Sequence, residues 1–305
     1  MEQHLRSDHR GLIRGGPRLG KRLAPYGLTS PGGLWLLVFF VVPMAAMFVL
    51  SLETPIASTG FQETGYRLTW NFAQYPGAIA QYHTQFLRSL WYATVVTAAT
   101  MAVGYPAAFW IATWGGRQKT TYLFLLLLPF FVSFVIRTLA WQFLLSDDGI
   151  VLRTLERWHL VSTSTHILAT PEAVIAGIAY NALPFMVLPI YVSLEKIDRQ
   201  VIDASRDLYA RPRDTFLRVI LPLSVPGLFA GFLLTFIPAV GDYVNAEILG
   251  GVNTTMIGNV IQRAYLNDQN YPLASALSFV LMVALLGGIA IYGRVLGTRQ
   301  IEEYL

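Results

Sequence analysis

Long apolar runs alternate with short polar links along the chain, and six of the runs are long enough to cross a hydrocarbon layer. Such a layer is about 30 Å thick and takes roughly 20 helical residues. The runs are Leu34–Leu52, Ser89–Trp114, Thr120–Ser146, Ala173–Leu194, Val219–Gly241 and Tyr271–Tyr292, and only the third carries a charge, Arg137. In lipid every backbone N–H and C=O must be satisfied within the segment, so the runs predict helices and an all-α, polytopic membrane fold. Proline at 43, 106, 129, 184, 189 and 238 predicts curved or kinked spans.

The densest polar link breaks this pattern most sharply. Glu195 to Arg218 holds eleven charges and is followed at once by Leu-Pro-Leu-Ser-Val-Pro. Its apolar residues keep helical spacing: Ile197, Val201, Ala204 and Leu208 form one stripe, and Phe216, Val219 and Ile220 begin another. Asp198 suits an N-cap and Pro212 the first turn of a helix, so two short helices are expected to meet near Ala210.

Composition agrees with a membrane protein: 54% of residues are hydrophobic, 13% are charged, and the mean hydropathy is +0.49. Sixteen of the 22 Lys and Arg fall on one side of the predicted spans, in the N-terminal tail, the 114–120 link, the 195–218 loop and the C-terminus. The positive-inside rule then makes both termini and the charged loop cytoplasmic. The net charge of +4 and the pI of about 9.3 reflect that excess and do not point to nucleic acid. The first run is too long for a signal core and lacks a small-residue cleavage site after it, so it is read as a spanning helix. The expected organisation is a cytoplasmic basic tail at 1–33, a six-span domain at 34–298 carrying the loop 195–222, and a cytoplasmic tail at 299–305. No link is long enough to bury a soluble core of its own.

Catalytic inventories are empty. The five histidines (His4, His9, His83, His159 and His166) lie in the tail or the links, and there is no cysteine. Metalloprotease and nucleophile-elbow motifs are absent. Gly15 to Lys21 fits the first seven positions of a phosphate loop, but Arg22 stands where Ser or Thr should hold magnesium. No catalytic residue, metal site or cofactor is expected.

The charged loop resembles the EAA signature of permease subunits of ABC importers: Glu-Ala-Ala, three residues, Gly, nine residues, then Ile-x-Leu-Pro. Here Asp203-Ala204-Ser205 takes the opening triplet, Tyr209 falls at the Gly, and Val219-Ile220-Leu221-Pro222 closes the motif. In that family the loop docks into a cytoplasmic ATPase. The resemblance implies coupling roles for Asp203, Ala204, Ser205, Leu208, Tyr209, Phe216, Leu221 and Pro222. Tyr209 is the departure: Gly permits a left-handed turn there, and a bulky residue at positive φ is costly. Either the turn differs, or the ring fills part of the ATPase groove.

Four further stretches, Pro129–Trp141, Ala179–Asp198, Phe236–Gly251 and Met256–Ile261, are similar to the first permease subunit of spermidine/putrescine importers. That resemblance implies the bacterial inner membrane, a second six-span permease subunit, two cytoplasmic ABC ATPase subunits, an extracytoplasmic substrate-binding protein and a small cationic substrate. It leaves this chain non-catalytic, with ATP hydrolysed on a separate subunit.

Polar residues in the spans bear on substrate. At a rise of about 1.5 Å per residue, Arg137 lies roughly 24 Å and Asp242 roughly 26 Å along straight helices from the inner face. Asn181 reaches nearer mid-membrane. Ionisable groups at such depth are functional candidates, and two readings stay open: a structural Arg137–Asp242 pair, or groups lining the pathway. Trp141, Tyr180, Tyr243, Asp242 and Glu247 would suit a cationic amine through aromatic faces and carboxylates. The competing reading of the whole chain is a self-contained channel or secondary transporter for a small cationic solute. It would need a complete pathway in one chain, and no internal repeat supports it. A membrane-embedded enzyme is the third reading.

Overall fold

The structure, a computed structural model, describes residues 30–55, 65–162 and 165–301. The basic tail before Ser30, with Gly15–Lys21, His4 and His9, lies outside the described residues, as do residues 302–305. The chain divides into two units, 1–50 and 51–305.

In the first unit, α1 (Ser30–Leu50) is a single apolar helix. It widens to a π-helix over Leu37–Val41, where the Val42 N–H bonds the Leu37 carbonyl. Pro43 follows directly and has no N–H to continue the tighter ladder.

The second unit opens with a short antiparallel hairpin of β1 (Glu53–Pro55) and β2 (Tyr66–Leu68), with Thr54 opposite Arg67. Next comes α2 (Gln74–Trp114), a 41-residue helix that starts well ahead of the expected Ser89. Its first turns are polar and carry no apolar run, so only packing reveals them: Ala78 is buried against Ile257 and Leu277. The helix is interrupted at Tyr82 (φ −113°, ψ 17°).

The expected third span, Thr120–Ser146, is not one straight helix. It is built from α3 (Gly116–Phe131) and α4 (Phe134–Leu145), followed by the short α5 (Ile150–Arg157), with a bend of 90° between Phe131 and Phe134. Pro129 leaves the Leu125 carbonyl without its helical donor, the last turn tightens to a 3-10 helix, and Val132 and Ser133 are extended at ψ 142° and 138°. The straight-helix depth of Arg137 is corrected accordingly, since α4 sets off in a new direction three residues before it.

The rest of the bundle is α6 (Pro171–Glu195), α7 (Arg199–Asp207), α8 (Pro212–Val240), α9 (Val244–Leu249), α10 (Ile257–Leu266) and α11 (Tyr271–Ile301). Among the described residues, five helices are long and apolar enough to cross a membrane, and the bent α3–α5 segment makes a sixth if it is taken as one span.

Helices α2, α6 and α8 form the centre. At one end Tyr92, Val96, Val174, Ile178, Val240 and Leu249 are buried together. At the other end Tyr105, Met186, Val187, Ile190 and Ile220 make a second cluster. Tyr105 Oη lies 2.9 Å from Ser224 Oγ, which joins α2 to α8 inside the apolar contact.

Candidate functional site

Two assemblies of polar and aromatic side chains stand out, one at each end of the bundle. The first is the charged loop. The Asp198 carboxylate accepts the Gln200 N–H at 2.9 Å and caps α7, and Pro212 opens α8 after the extended Arg211. Between the helices the Tyr209 N–H bonds the Arg206 carbonyl (2.8 Å) and the Ala210 N–H bonds the Ser205 carbonyl (3.1 Å). That pairing is a Schellman motif, which places residue 209 in the left-handed region. Tyr209 has φ 57°, so the turn is kept with a tyrosine in the glycine's place. For a side chain with a Cβ, that conformation costs about 1–2 kcal/mol. Its ring is 96% exposed and Leu208 is 83% exposed, so the turn presents a bare apolar tip.

The coupling candidates divide between two faces. Asp203, Ala204, Leu208, Tyr209 and Pro222 face outward. Ser205 Oγ donates to the Ile202 carbonyl and lies 3.0 Å from Thr215 Oγ1, which ties α7 to the first turn of α8. Phe216 points inward and meets Tyr105 and Phe109 edge-on at 5.8 and 5.5 Å. Leu221 packs against the same cluster. Behind α7 a recess of about 770 Å³ is lined by Phe109, Trp114, Ile202, Arg206, Arg213 and Phe216. Lys119 Nζ donates to both Glu195 carboxylate oxygens (2.9 and 2.7 Å) at its edge. Phe216–Ile220 is a π-helical turn in which the Leu221 N–H reaches the Phe216 carbonyl, since Pro222 cannot continue the ladder.

The second assembly surrounds a cavity of about 270 Å³ between α4, α6 and the α8–α9 corner. Asn181, Asp242 and Tyr243 line it together, with Phe134, Phe185 and Thr235. The other pathway candidates lie outside its lining. Trp141 and Tyr180 meet edge-on at 5.4 Å, and Glu247 Oε2 accepts from Asn259 Nδ2 at 2.9 Å.

No ion pair joins Arg137 to Asp242 among the described residues, so the reading of a structural pair is set aside. The Arg137 guanidinium sits 4.3 Å from the Phe130 ring centroid instead, and its buried Nε and Nη1 have no hydrogen-bond partner. Asp242 binds Asn245: Oδ1 accepts the backbone N–H at 2.9 Å and Oδ2 accepts Nδ2 at 2.6 Å.

Asn245 was not singled out by the sequence. It is fully buried, and its Oδ1 also accepts from Thr138 Oγ1 (3.1 Å) and Asn181 Nδ2 (3.2 Å). One side chain thus joins α4, α6, the end of α8 and α9. Gly177 makes room for it: a Cβ there would overlap Leu249 Cδ1 and press on Asn245 Oδ1 at 3.1 Å. Pattern could not have found Asn245, since a single Asn in a link between spans is unremarkable until its partners are known.

Residues 101–295 match the family model described as "Binding-protein-dependent transport system inner membrane component". The chain is 37% identical over 213 residues to the spermidine/putrescine transport system permease protein PotB of Escherichia coli K12, covering 70% of this chain and 78% of that protein. It is 34% identical over 278 residues to PotB of Haemophilus influenzae, covering 88% and 93%. Among solved structures it is similar to a chain of a bacterial ABC transporter involved in the import of alginate. The TM-score is 0.67 at 17% identity, over 93% of this chain and 99% of that one. It is also similar to a chain of the MetNI methionine ABC transporter, with a TM-score of 0.52 at 19% identity, over 70% and 94%. At those identities the two structures speak for the fold alone.

Proposed function

The chain belongs to the family of binding-protein-dependent transport system inner membrane components, and from that premise we propose that it is a permease subunit of an ATP-driven polyamine importer. The observation that carries the substrate class is the 34–37% identity, over most of the chain, to proteins named spermidine/putrescine permeases. In this reading the chain supplies half of the translocation pathway. A second six-span permease supplies the other half, a pair of cytoplasmic ATPases hydrolyses ATP, and an extracytoplasmic binding protein delivers the amine. Both termini and the 195–222 loop face the cytoplasm, as the Lys and Arg distribution favours. The spans cover 34–298, between a basic tail at 1–33 and a short tail at 299–305.

The 195–222 loop is the coupling element. Its outward residues Ala204, Leu208 and Tyr209 enter the ATPase groove. Ser205, Phe216 and Leu221 carry the motion inward, because a rigid edge-on contact to Tyr105 and Phe109 transmits a push into α2. Asp203 holds the local helix and Pro222 the π turn. At the opposite end Asn181, Asp242 and Tyr243 line the path, with Trp141, Tyr180, Glu247 and Arg137 around it. An ammonium group leaving water needs carboxylates, carbonyls or aromatic faces to offset its desolvation, and this end provides all three.

Reconstitution tests the proposal. The chain, copurified with its second permease and ATPases and supplied with binding protein, should take up spermidine or putrescine only with ATP. Uptake by this chain alone in vesicles without ATP would overturn the importer reading and favour a self-contained channel. ATP-driven uptake of a sugar or an anion, with polyamines unable to compete, would overturn the substrate class alone.

A further inference from the structure

Thr235 breaks a rule that other threonines of the bundle follow. Thr94, Thr97, Thr100 and Thr113 each donate the hydroxyl to the carbonyl four residues back, at 2.7 to 2.8 Å. That bond is the ordinary way for a hydroxyl in an apolar helix to be satisfied. Thr235 Oγ1 makes no hydrogen bond, although the residue is only 1% exposed. A second orphan shares its cavity. Asn181 is 6% exposed, and its Nδ2 is committed to Asn245, which leaves Oδ1 turned away from that network without a partner.

Buried acceptors without donors are unfavourable, and most buried polar atoms in proteins are paired. Here the two residues that carry such oxygens line one cavity, whose walls also include Phe134, Phe185, Tyr243 and the Asp242 corner. Both oxygens have lone pairs free to accept, and a compact donor of several N–H bonds would serve them together. An alkylammonium is such a group, with three donors on a primary amine and two on a secondary one, and its methylene chain suits the Phe134 and Phe185 rings. Water would satisfy the oxygens equally well but would gain nothing from the aromatic walls.

We propose that Thr235 Oγ1 and Asn181 Oδ1 form a desolvated acceptor pair that takes the N–H donors of a passing amine. Thr235 is then a substrate-contacting, specificity-determining residue of the pathway. This rests on the polyamine-importer reading and adds the atoms that touch the substrate. Both oxygens are buried in the arrangement described here, so contact occurs when they become accessible during turnover.

The test uses the reconstituted complex with spermidine-loaded binding protein. Thr235→Val keeps the shape and deletes the hydroxyl, and Thr235→Ser keeps the hydroxyl. Thr235→Val should lower spermidine taken up per ATP hydrolysed by about tenfold, the scale of one hydrogen bond to a charged group, while Thr235→Ser stays near wild type. Wild-type coupling in Thr235→Val, or an equal loss in Thr235→Ser, would overturn the proposal. The chain contains no cysteine, so Thr235→Cys gives it a single thiol. That thiol should react with 2-aminoethyl methanethiosulfonate during turnover and be shielded by excess spermidine, as read by mass spectrometry of this chain. A thiol that stays unreactive, or is not shielded, sinks the proposal even if the Val variant fails to assemble. If the unmutated complex takes up no polyamine at all, the functional reading fails first, which separates the two outcomes.

Discussion

Replacing Asn245 with Ala should loosen the end of the bundle that holds the 270 Å³ cavity. Three side-chain hydrogen bonds would go: Thr138 Oγ1 to Oδ1, Asn181 Nδ2 to Oδ1, and Nδ2 to Asp242 Oδ2. They do not weigh equally. Thr138 keeps its bond to the Phe134 carbonyl, so its loss is close to neutral. Asp242 keeps the Asn245 backbone N–H but loses its shorter donor, and a bond to a charged group is worth about 1.5–3 kcal/mol. Asn181 Nδ2 would be left buried without a partner, at about 1–3 kcal/mol in water-soluble proteins and nearer 0.6 kcal/mol by measurements between membrane helices. The total is about 2–6 kcal/mol. In a chain of this size that should lower the unfolding midpoint of the detergent-solubilised complex by about 4 °C or more. Asn245→Asp is the sharper control. It keeps the acceptor for Thr138 and Asn181 but sets a second carboxylate against Asp242, so it should be no better than Ala. An unchanged midpoint in Asn245→Ala, or an Asp variant as stable as wild type, would refute the view that this side chain joins the four elements.

Two predictions concern the loop at the other end. Tyr209→Gly should relieve the left-handed conformation, with part of the roughly 1–2 kcal/mol offset by the greater freedom of Gly in the unfolded chain. The same change should reduce retention of the ATPase on the purified permease, because the 96%-exposed ring is gone. Full retention would show that the ring makes no contact there. Phe216→Ala should remove the edge-on contacts to Tyr105 and Phe109, at less than the roughly 3–5 kcal/mol of a fully buried Phe because Phe216 lines the recess. Limited proteolysis of the complex should then cut within 195–222 faster than in wild type, and an unaltered cutting rate would count against an anchoring role.

The sequence by itself determined the membrane class, the approximate places of the spans and the two-helix form of the charged loop. Each of these rests on local physics. A backbone surrounded by hydrocarbon has few ways to satisfy its polar groups, so an apolar run of sufficient length becomes a helix whatever its neighbours. Asp198 and Pro212 set the loop's helix starts through their own hydrogen bonding and φ. Tertiary structure decided the remainder. The polar start of α2 is helical because Ala78 packs on Ile257 and Leu277, and the bend at Val132–Ser133 lies inside a run that hydropathy reads as continuous. Phe216 shares an apolar stripe with Val219 and Ile220 in the sequence, yet its edge-on ring contacts are with Tyr105 and Phe109, about a hundred residues away. Arg137 and Asp242 have opposite charges at similar expected depths, and the direction of α4 leaves the guanidinium over Phe130 and gives the carboxylate to Asn245. Hydropathy averages over a window and charge is counted by side of the membrane. Hydrogen bonds extend only about 3 Å and depend on direction, so which buried oxygen finds a donor is decided only when the helix faces meet.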